Sequence, residues 1–161
     1  MLLRDRDLTG KARTVFSVGP GSADELSAIR ALLARSGLPT NDLETARPTF
    51  AVLRDGDTVI AAGALQRFGS AALLRSVVVA PDRRGTGLGL RVVGELERLA
   101  RPAGIDRLVL LTQTASEFFA RLGYRVIDRG AAPKDMQQSE EFRSLCPSSA
   151  TCMAKHLADS T

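Results

Sequence analysis

The 161-residue sequence has few of the residues that build metal centres or nucleic-acid-binding surfaces. It contains two cysteines, one histidine, one tyrosine and no tryptophan, and aromatic residues make up 4% of the chain. So few cysteines and histidines make a zinc site unlikely to form, and we expect no metal. Cys146 and Cys152 are expected to be reduced thiols of a cytoplasmic protein. The formal net charge of +4 comes without basic runs or stacking aromatics, which argues against nucleic acid as the partner.

Long apolar runs are also absent. No stretch reaches the roughly 20 apolar residues that a membrane-spanning helix needs, and the N-terminus has no signal-peptide pattern. We therefore expect no membrane partner. The length favours a single domain with its own core. Residues 1–13 are charged and show little periodicity, so they are predicted to be a flexible leader to one domain at residues 14–161.

The most informative stretch covers residues 74–90, where the pattern predicts a strand, a glycine-rich loop and the first turn of a helix. The three valines at 77–79 suit a buried strand, and Pro81 must end it because proline cannot donate to a strand ladder. Glycines then alternate through the loop at Gly85, Gly87 and Gly89. The free N–H groups and dipole of the following helix lie beside Arg83 and Arg84. The stretch therefore predicts a site for a phosphate or pyrophosphate.

Spacing decides which kind of nucleotide loop this is. The loop lacks the lysine of a Walker motif, and its strictly alternating glycines do not fit the dinucleotide fingerprint Gly-x-Gly-x-x-Gly. What remains is Arg84-x-x-Gly87-x-Gly89 after a Val-x-Ala-Pro strand end. This pattern resembles the acetyl-CoA pyrophosphate loop of the GCN5-related N-acetyltransferase (GNAT) superfamily. The alternative is a glycine-rich turn that binds no ligand.

Two further blocks carry the same resemblance. Residues 115–124 read Ala-x-x-Phe-Phe-x-x-x-Gly-Tyr, which is similar to the superfamily's aromatic pair followed by a glycine-aromatic step into a strand. The two phenylalanines can serve core packing, cofactor contact or both. In the tail, residues 139–155 resemble the end of N-acetylglutamate-synthase-like members. Together with Leu-Leu-Arg-Ser-Val-Val-Val at 73–79 and Leu-Leu-Thr-Gln-Thr-Ala at 110–115, the set is most similar to the arsenic-resistance N-acetyltransferase branch.

The remaining patterns agree with the fold that the resemblance implies. That fold is a mixed α/β (α+β) GNAT acetyltransferase fold, with a mostly antiparallel sheet that is splayed between the fourth and fifth strands and flanked by helices. Before the glycine loop, the sequence itself predicts a strand at 14–18, a helix begun by a capping box at 22–25 and closed near Gly37, and a loop or single turn at 37–43. A hairpin of 49–54 and 58–67 around Asp55-Gly56 and a strand at 71–80 follow. After the loop it predicts a helix, a parallel strand at 107–111, a helix through 115–122 and a strand at 124–128.

The resemblance also implies a cosubstrate and a reaction. Acetyl-CoA would donate its acetyl group by direct attack of a small amino-acid-like amine, and the protein could form a homodimer. The N–H near Val77 would polarise the thioester carbonyl. The positions that the resemblance assigns to acetyl-CoA are Val77, Val78, Val79, Arg84, Gly85, Thr86, Gly87, Leu88, Gly89, Thr114, Phe118 and Phe119.

The acid and base depart from the superfamily pattern. Phe119 occupies a position where many members have a tyrosine, and phenylalanine has no proton to give. Tyr124, the only tyrosine, could reach the departing sulfur as a catalytic acid, or it could be an amphipathic strand residue at the sheet surface. The strand before the loop lacks the carboxylate that often acts as base. Cys146 is disfavoured as a nucleophile because direct attack needs none, and His156 is expected at the surface.

Arg75 is the predicted acceptor-binding residue. It interrupts an apolar strand, and strict alternation places it on the same face as Val77 and Val79. There its guanidinium could clamp an α-carboxylate, although an exposed surface arginine is the alternative. Gln66, Arg67 and Thr112 are weaker candidates for the same cleft.

Three functions remain open at this point. The first is acetyl transfer to a small amino-acid-like amine, and resemblance to the arsenic-resistance branch implies an acceptor with an arsenic or phosphinic group. The second is glutamate N-acetylation in arginine synthesis. The third is a non-catalytic acyl-CoA-binding sensor, which the missing tyrosine at Phe119 keeps open.

Overall fold

The computed structural model describes residues 14–19 and 22–157, so the leader predicted for residues 1–13 lies outside the described residues. The described residues form one seven-stranded sheet in the order β1-β2-β3-β4-β5-β7-β6. The strands are β1 Thr14–Gly19, β2 Thr49–Asp55, β3 Thr58–Phe68, β4 Ala71–Val79, β5 Arg107–Thr112, β6 Arg125–Val126 and β7 Thr151–His156. The helices are α1 Ala23–Arg35, α2 Leu43–Ala46, α3 Leu88–Ala100, α4 Ser116–Arg121 and α5 Lys134–Gln137, with 3₁₀ turns at Pro81–Arg83 and Arg129–Ala131 and a π turn at Glu141–Leu145.

The sheet opens between its fourth and fifth strands. Among the described strands, β4 and β5 form the one parallel pair, while the other neighbours run antiparallel. Pairing is limited to Ala71–Leu73 of β4 against Arg107–Val109 of β5. Beyond these three pairs β4 and β5 are no longer paired, and a gap opens between them. The predicted mixed fold and its splay are confirmed.

Helices cover both faces of the sheet. α3 packs on one face, where Val92, Val93 and Leu96 join Leu53 and Leu108 in a core cluster. α1 covers the opposite face with Ile29, Leu32 and Leu33. The capping box predicted for α1 is present, since Ser22 Oγ accepts from the Glu25 N–H at 3.2 Å and Glu25 Oε1 accepts from the Ser22 N–H at 3.3 Å. Among the described helices, none is long and apolar enough to cross a membrane.

A β-bulge in β4 changes which side chains share a face. Arg75 pairs with Ala64 and Val78 pairs with Ala62, so β4 has one more residue than β3 over this interval. Ser76 takes the extra position with φ +58°. Val77 and Val79 consequently pack on the α3 face, as Leu74 does. Arg75 points to the opposite face, and the prediction that it shares a face with the two valines is wrong.

The predicted sixth strand is shorter than expected. Only Arg125–Val126 pair with β7, whereas the sequence predicted a strand over 124–128. The Tyr124 N–H instead donates to the Phe119 carbonyl at 3.1 Å, which keeps Tyr124 in the turn that ends α4. A 3₁₀ turn at Arg129–Ala131 then takes the chain away from the sheet.

Candidate active site

A cavity of about 710 Å³ lies where β4 and β5 separate. This volume is within the range of small-molecule sites. The second half of β4, the end of β5 and the glycine loop line the cavity, which we call the cleft. The connection from α1 to α2 contributes Ser36, Gly37, Leu38 and Pro39, and the C-terminal segment contributes Glu141, Leu145, Cys146 and Ala150.

The glycine loop forms one end of the cleft. α3 begins at Leu88, directly after Gly87, whose φ is +83° and whose carbonyl accepts the Arg91 N–H at 3.2 Å. A Cβ added at Gly85 or Gly87 would meet no atom within 4 Å, so neither position is packed against the rest of the protein. The first N–H groups of α3 have no partner within the helix, and they carry the positive end of its dipole. This arrangement can hold a phosphate group.

Contacts around the loop fix its arginines and its third glycine. Arg83 donates to Asp55 Oδ2 at 2.9 Å, while Arg84, which lines the cleft, donates to Ser36 Oγ at 3.2 Å. A Cβ at Gly89 would lie 3.2 Å from the Phe118 ring, so a side chain there would push the ring away. The Thr86 hydroxyl donates to the Arg83 carbonyl within the loop.

The aromatic residues of α4 lie between the cleft and the core. Phe118 and Phe119 line the cleft, with ring centroids 5.0 Å apart in an edge-to-face arrangement. Tyr124 packs edge-on against Phe119 at 5.5 Å but does not line the cleft. Its side chain is 2% exposed, so the prediction that it lies at the sheet surface is wrong.

The Tyr124 hydroxyl is already engaged. It donates to Glu97 Oε2 at 3.1 Å, and Glu97 Oε1 accepts from Lys155 Nζ at 2.8 Å. Burial raises the pKa of Tyr124, and the charge of Glu97 raises it further. A role as catalytic acid remains a prediction, but the hydroxyl points into this buried network rather than into the cleft.

A buried charge cluster lies on the other face of β4. Arg75 donates to Asp42 through both terminal nitrogens, at 2.6 and 2.5 Å, and through Nη1 to Gln66 Oε1 at 3.1 Å. Its Nε lies 3.6 Å from Glu141 Oε2. The terminal nitrogens that were predicted to clamp an acceptor carboxylate are thus occupied by Asp42 and Gln66. Acceptor binding by Arg75 stays a prediction, because the residue lines the cleft while its side chain is 0% exposed.

The weaker candidates separate into two groups. Thr112 and Thr114 line the cleft, and Thr112 Oγ1 also accepts the Ala115 N–H at 3.0 Å, which orients the start of α4. Gln66 contacts Arg75 but is not among the lining residues. Arg67 is exposed and donates to the Gly69 carbonyl, so it serves the β3–β4 turn instead of the cleft.

The remaining predicted residues have clear surroundings. Cys146 lines the cleft, where burial and the nearby charge of Glu141 raise the pKa of its thiol to about 12. A thiol with this pKa is protonated at neutral pH and is a poor nucleophile. His156 is exposed in β7, as predicted.

The geometry of sheet, cleft and loop agrees with comparisons to known proteins. Residues 23–124 match the model of the acetyltransferase (GNAT) family. The chain belongs to this family. Within it, the chain is 44% identical over 54 residues to N-alpha-acetyltransferase 80 of Mus musculus, a match that covers 34% of this chain and 17% of that relative.

Solved GNAT structures share the fold over most of the chain. N-acetylglutamate synthase from Neisseria gonorrhoeae, complexed with coenzyme A and N-acetyl-glutamate, superposes with a TM-score of 0.75 at 20% identity. The match covers 89% of this chain and 35% of the synthase, so the chain spans about a third of that protein. Rv2747 from Mycobacterium tuberculosis, solved in complex with CoA, gives a TM-score of 0.73 at 25% identity and covers 88% of this chain and 99% of that one.

Two charged residues that face Arg75 were missed by sequence reasoning. Asp42 lies 33 residues from its partner Arg75, in a stretch predicted only as a loop or single turn. Glu141 lies in a tail motif that was noted for its resemblance, without a role for its carboxylate. A buried carboxylate cannot be told from an exposed one by local pattern when its partners are distant in sequence, so no signal in the sequence would have found either role.

Proposed function

We propose that the chain is an acetyl-CoA-dependent N-acetyltransferase that acts on the amino group of a small amino-acid-like acceptor. The observation that carries the proposal is the cleft between β4 and β5, which ends at the open glycine loop before α3. Membership of the GNAT family and the CoA complexes of two similar structures support the same conclusion.

The residues of the cleft fit the parts of acetyl-CoA. When bound, acetyl-CoA supplies a thioester whose carbonyl carbon is open to attack by an amine. The glycine loop offers N–H groups and a helix dipole to the pyrophosphate, and no atom lies within 4 Å of a Cβ added at Gly85 or Gly87, which leaves room for the group there. Arg84 adds positive charge at the same end. The backbone of β4 from Val77 to Val79 lines the cleft and, beyond the last β4–β5 pair, is free of that neighbour.

The role of the chain in transfer is chiefly to bring the two reactants together. Holding an amine against a thioester in an attack geometry can lower the barrier by about 7–11 kcal/mol. A backbone N–H near Val77 would stabilise the negative charge that develops on the thioester oxygen. The protonated thiol of Cys146 agrees with direct attack without a covalent enzyme intermediate.

Glutamate N-acetylation is the second candidate. It is favoured by the likeness to N-acetylglutamate synthase from Neisseria gonorrhoeae, although the chain spans only 35% of that protein. The arsenic-resistance branch, with an acceptor that carries an arsenic or phosphinic group, is supported by the sequence motifs at 73–79 and 110–115. Glutamate carries a side-chain carboxylate, whereas the other acceptors carry an arsenic or phosphinic group in its place, so one panel of compounds distinguishes them.

The experiment measures release of free thiol from acetyl-CoA with a panel of amino acids that includes glutamate and its phosphinic and arsinic analogues. We expect thiol release with at least one α-amino acid, and the acceptor with the highest kcat/KM identifies the class. Acetyl-CoA binding without turnover on any amine would favour the acyl-CoA-binding sensor instead. Failure of acetyl-CoA to bind would overturn the proposal.

A further inference from the structure

Glu141 is a buried carboxylate at the wall of the cleft. It is the first residue of the π turn Glu141–Leu145, its side chain is 8% exposed, and it lines the cleft. Its Oε2 atom is buried and accepts no hydrogen bond. The nearest cationic atom is Arg75 Nε at 3.6 Å, which is too long for a hydrogen bond and which is itself buried without a hydrogen-bond partner. Glu141 is therefore incompletely satisfied.

The charges around Glu141 do not balance. Asp42 receives hydrogen bonds from both terminal nitrogens of Arg75 and so takes the strongest contacts of that guanidinium. Two buried carboxylates consequently share one buried cation. The other groups in contact with these three side chains, Gln66 and the protonated thiol of Cys146, carry no charge. Arg129, whose charge acts on Cys146, donates to the carbonyls of Phe142 and Pro147 instead. With Glu141 ionised, the cluster has one negative charge in excess, and a cation entering the cleft would neutralise it.

Glu141 is also the only carboxylate among the described residues that line the cleft. The other ionisable lining residues are Arg75, Arg83, Arg84 and Cys146. Arginine stays protonated near neutral pH and so cannot accept a proton, and the Cys146 thiol is already protonated. Among these residues, only Glu141 can both attract an ammonium group and accept its proton.

From this geometry we infer that Glu141 binds the ammonium group of the acceptor and acts as its general base. The inference rests on the proposed acetyl-transfer function and names a residue for the step that β4 leaves without a base. Asp42 and Arg75 are positioning residues, because Asp42 holds the guanidinium and the guanidinium in turn faces the Glu141 carboxylate.

The proton and electron balance of the step is complete. An N–H bond of the ammonium breaks and an O–H bond forms on Glu141, which leaves a neutral amine. The nitrogen lone pair then forms the N–C bond while the C–S bond of the thioester breaks. The departing thiolate takes the remaining excess proton from the attacking nitrogen, and Glu141 returns its own proton to water. The products are the amide, free CoA and one proton.

The surroundings of Glu141 raise its pKa above that of a carboxyl group in water. Burial raises the pKa of Glu141, Arg75 opposes this rise, and Asp42 adds to it. The groups that face the carboxylate are thus Arg75 from β4, Asp42 at the start of α2 and Cys146 after the π turn. A general base is most effective when its pKa approaches the working pH.

The kinetic test compares Glu141→Gln with the matched control Glu140→Gln. Glu140 is the preceding residue, is exposed, and does not line the cleft. Loss of a general base lowers the rate by about 10²–10⁴-fold, so we expect a fall of this size in kcat/KM for Glu141→Gln and none for Glu140→Gln. Acetyl-CoA affinity should stay close to the wild-type value in both variants, and both variants should remain folded.

The pH profile separates a base from a merely structural residue. Between the pKa of Glu141 and that of the acceptor amine, wild-type kcat/KM should be flat, because the enzyme deprotonates the bound ammonium. Over the same interval, Glu141→Gln can use only the neutral amine from solution, and kcat/KM should rise about tenfold per pH unit. A variant with the wild-type rate and a flat profile would overturn the inference.

A second readout needs no turnover. The Glu141 carboxyl is followed by ¹³C NMR in glutamate-labelled protein with CoA present, and its signal is assigned by its loss in Glu141→Gln. A bound ammonium should lower the pKa of Glu141, because an opposite charge favours the ionised form. We expect this shift with an amine from the panel or with concentrated methylammonium, and not with an N-acetylated counterpart.

If none of these amines moves the titration of Glu141, the inference is overturned even if thiol is released. If the titration moves but acetyl-CoA does not bind, the ammonium site stands and the proposed acetyl transfer fails. The two failures are therefore distinguishable.

Discussion

Replacing Asp42 by asparagine should destabilise the fold strongly, because it removes the carboxylate that neutralises a fully buried guanidinium. The Arg75 side chain is 0% exposed, and both of its terminal nitrogens donate to Asp42. Removing one partner of a buried ion pair costs about 3–5 kcal/mol, since the other charge stays buried without compensation. Glu141 remains 3.6 Å from Arg75 and can take over part of this role. We therefore expect a loss of about 3 kcal/mol, at the lower end of that range.

Urea unfolding of four proteins measures this loss. The control is Glu44→Gln, because Glu44 forms an exposed ion pair with Arg30 at 2.9 Å, with side chains 78% and 41% exposed. An exposed pair contributes at most about 1 kcal/mol, so the control should lie close to the wild type. The triple variant Asp42→Asn/Arg75→Met/Glu141→Gln removes all three charges of the cluster, and it should recover much of the stability that Asp42→Asn loses.

Two results would refute this account of the Arg75–Asp42 ion pair. If Asp42→Asn unfolds at the same urea concentration as Glu44→Gln, the Arg75–Asp42 contact contributes no more than a surface pair. If the triple variant is less stable than Asp42→Asn, the cost comes from lost packing and not from an uncompensated charge. Either result would contradict the claim that Asp42 stabilises the fold by neutralising the buried guanidinium of Arg75.

Three further predictions concern single residues. Gly63→Ala should lower the free energy of unfolding by about 1–3 kcal/mol, because an added Cβ would lie 2.7 Å from a methyl group of Val92 on α3. The control Gly94→Ala, on α3, places its Cβ where no atom lies within 4 Å and should not be destabilising. Thermal unfolding compares the two variants. Tyr124→Phe removes the hydrogen bond to Glu97, so urea unfolding should show a loss of about 1 kcal/mol in the free energy of unfolding, while thiol release stays unchanged. A loss of activity at unchanged CoA affinity would instead support Tyr124 as the catalytic acid. Glu141→Gln should gain stability relative to the wild type as pH rises above 4.5, the ordinary pKa of the group, because the folded-state pKa of Glu141 is raised and its ionisation favours unfolding. Unfolding temperatures measured from pH 4 to 8 that run parallel for the two proteins would contradict this sign.

Local pattern was sufficient for the elements that depend on neighbours in sequence. The capping box of α1 depends only on Ser22 and Glu25, and the start of α3 depends on the glycine just before it. Both features lie where the sequence predicted them. The splay between β4 and β5 was implied by the resemblance of the glycine loop to a family. The splay depends on where the pairing of β4 with β5 ends, which the sequence of β4 alone does not show.

The errors arose where one residue changes the geometry of many. Strict alternation placed Arg75 beside Val77, but the bulge at Ser76 shifts the two side chains to opposite faces. Nothing in the run Leu-Leu-Arg-Ser-Val-Val-Val marks that bulge, because serine is not a residue that normally takes a positive φ. A one-residue slip of this kind exchanges the buried and exposed faces of the strand that follows.

Distant partners account for the other differences. Tyr124 is buried because its hydroxyl reaches Glu97, 27 residues earlier, and Glu141 belongs to the cleft because Arg75 lies across from it. Both contacts join elements that are separate in the chain. Periodicity carries no information about such pairs, so the position of the base could not be predicted before the fold was known.

Calorimetric titration of acetyl-CoA into the wild type, Gly87→Ala and Gly56→Ala tests the central claim most directly. Both glycines have positive φ, +83° and +61°, and at neither would an added Cβ meet an atom within 4 Å. Alanine should therefore strain both backbones alike, by about 1–2 kcal/mol. Gly56 lies in the β2–β3 hairpin, outside the cleft. We predict tight binding by the wild type and by Gly56→Ala, and at least about tenfold weaker binding by Gly87→Ala, equivalent to about 1.4 kcal/mol. Equal affinities for all three proteins, or no binding by the wild type, would contradict the assignment of the glycine loop to the acetyl-CoA pyrophosphate.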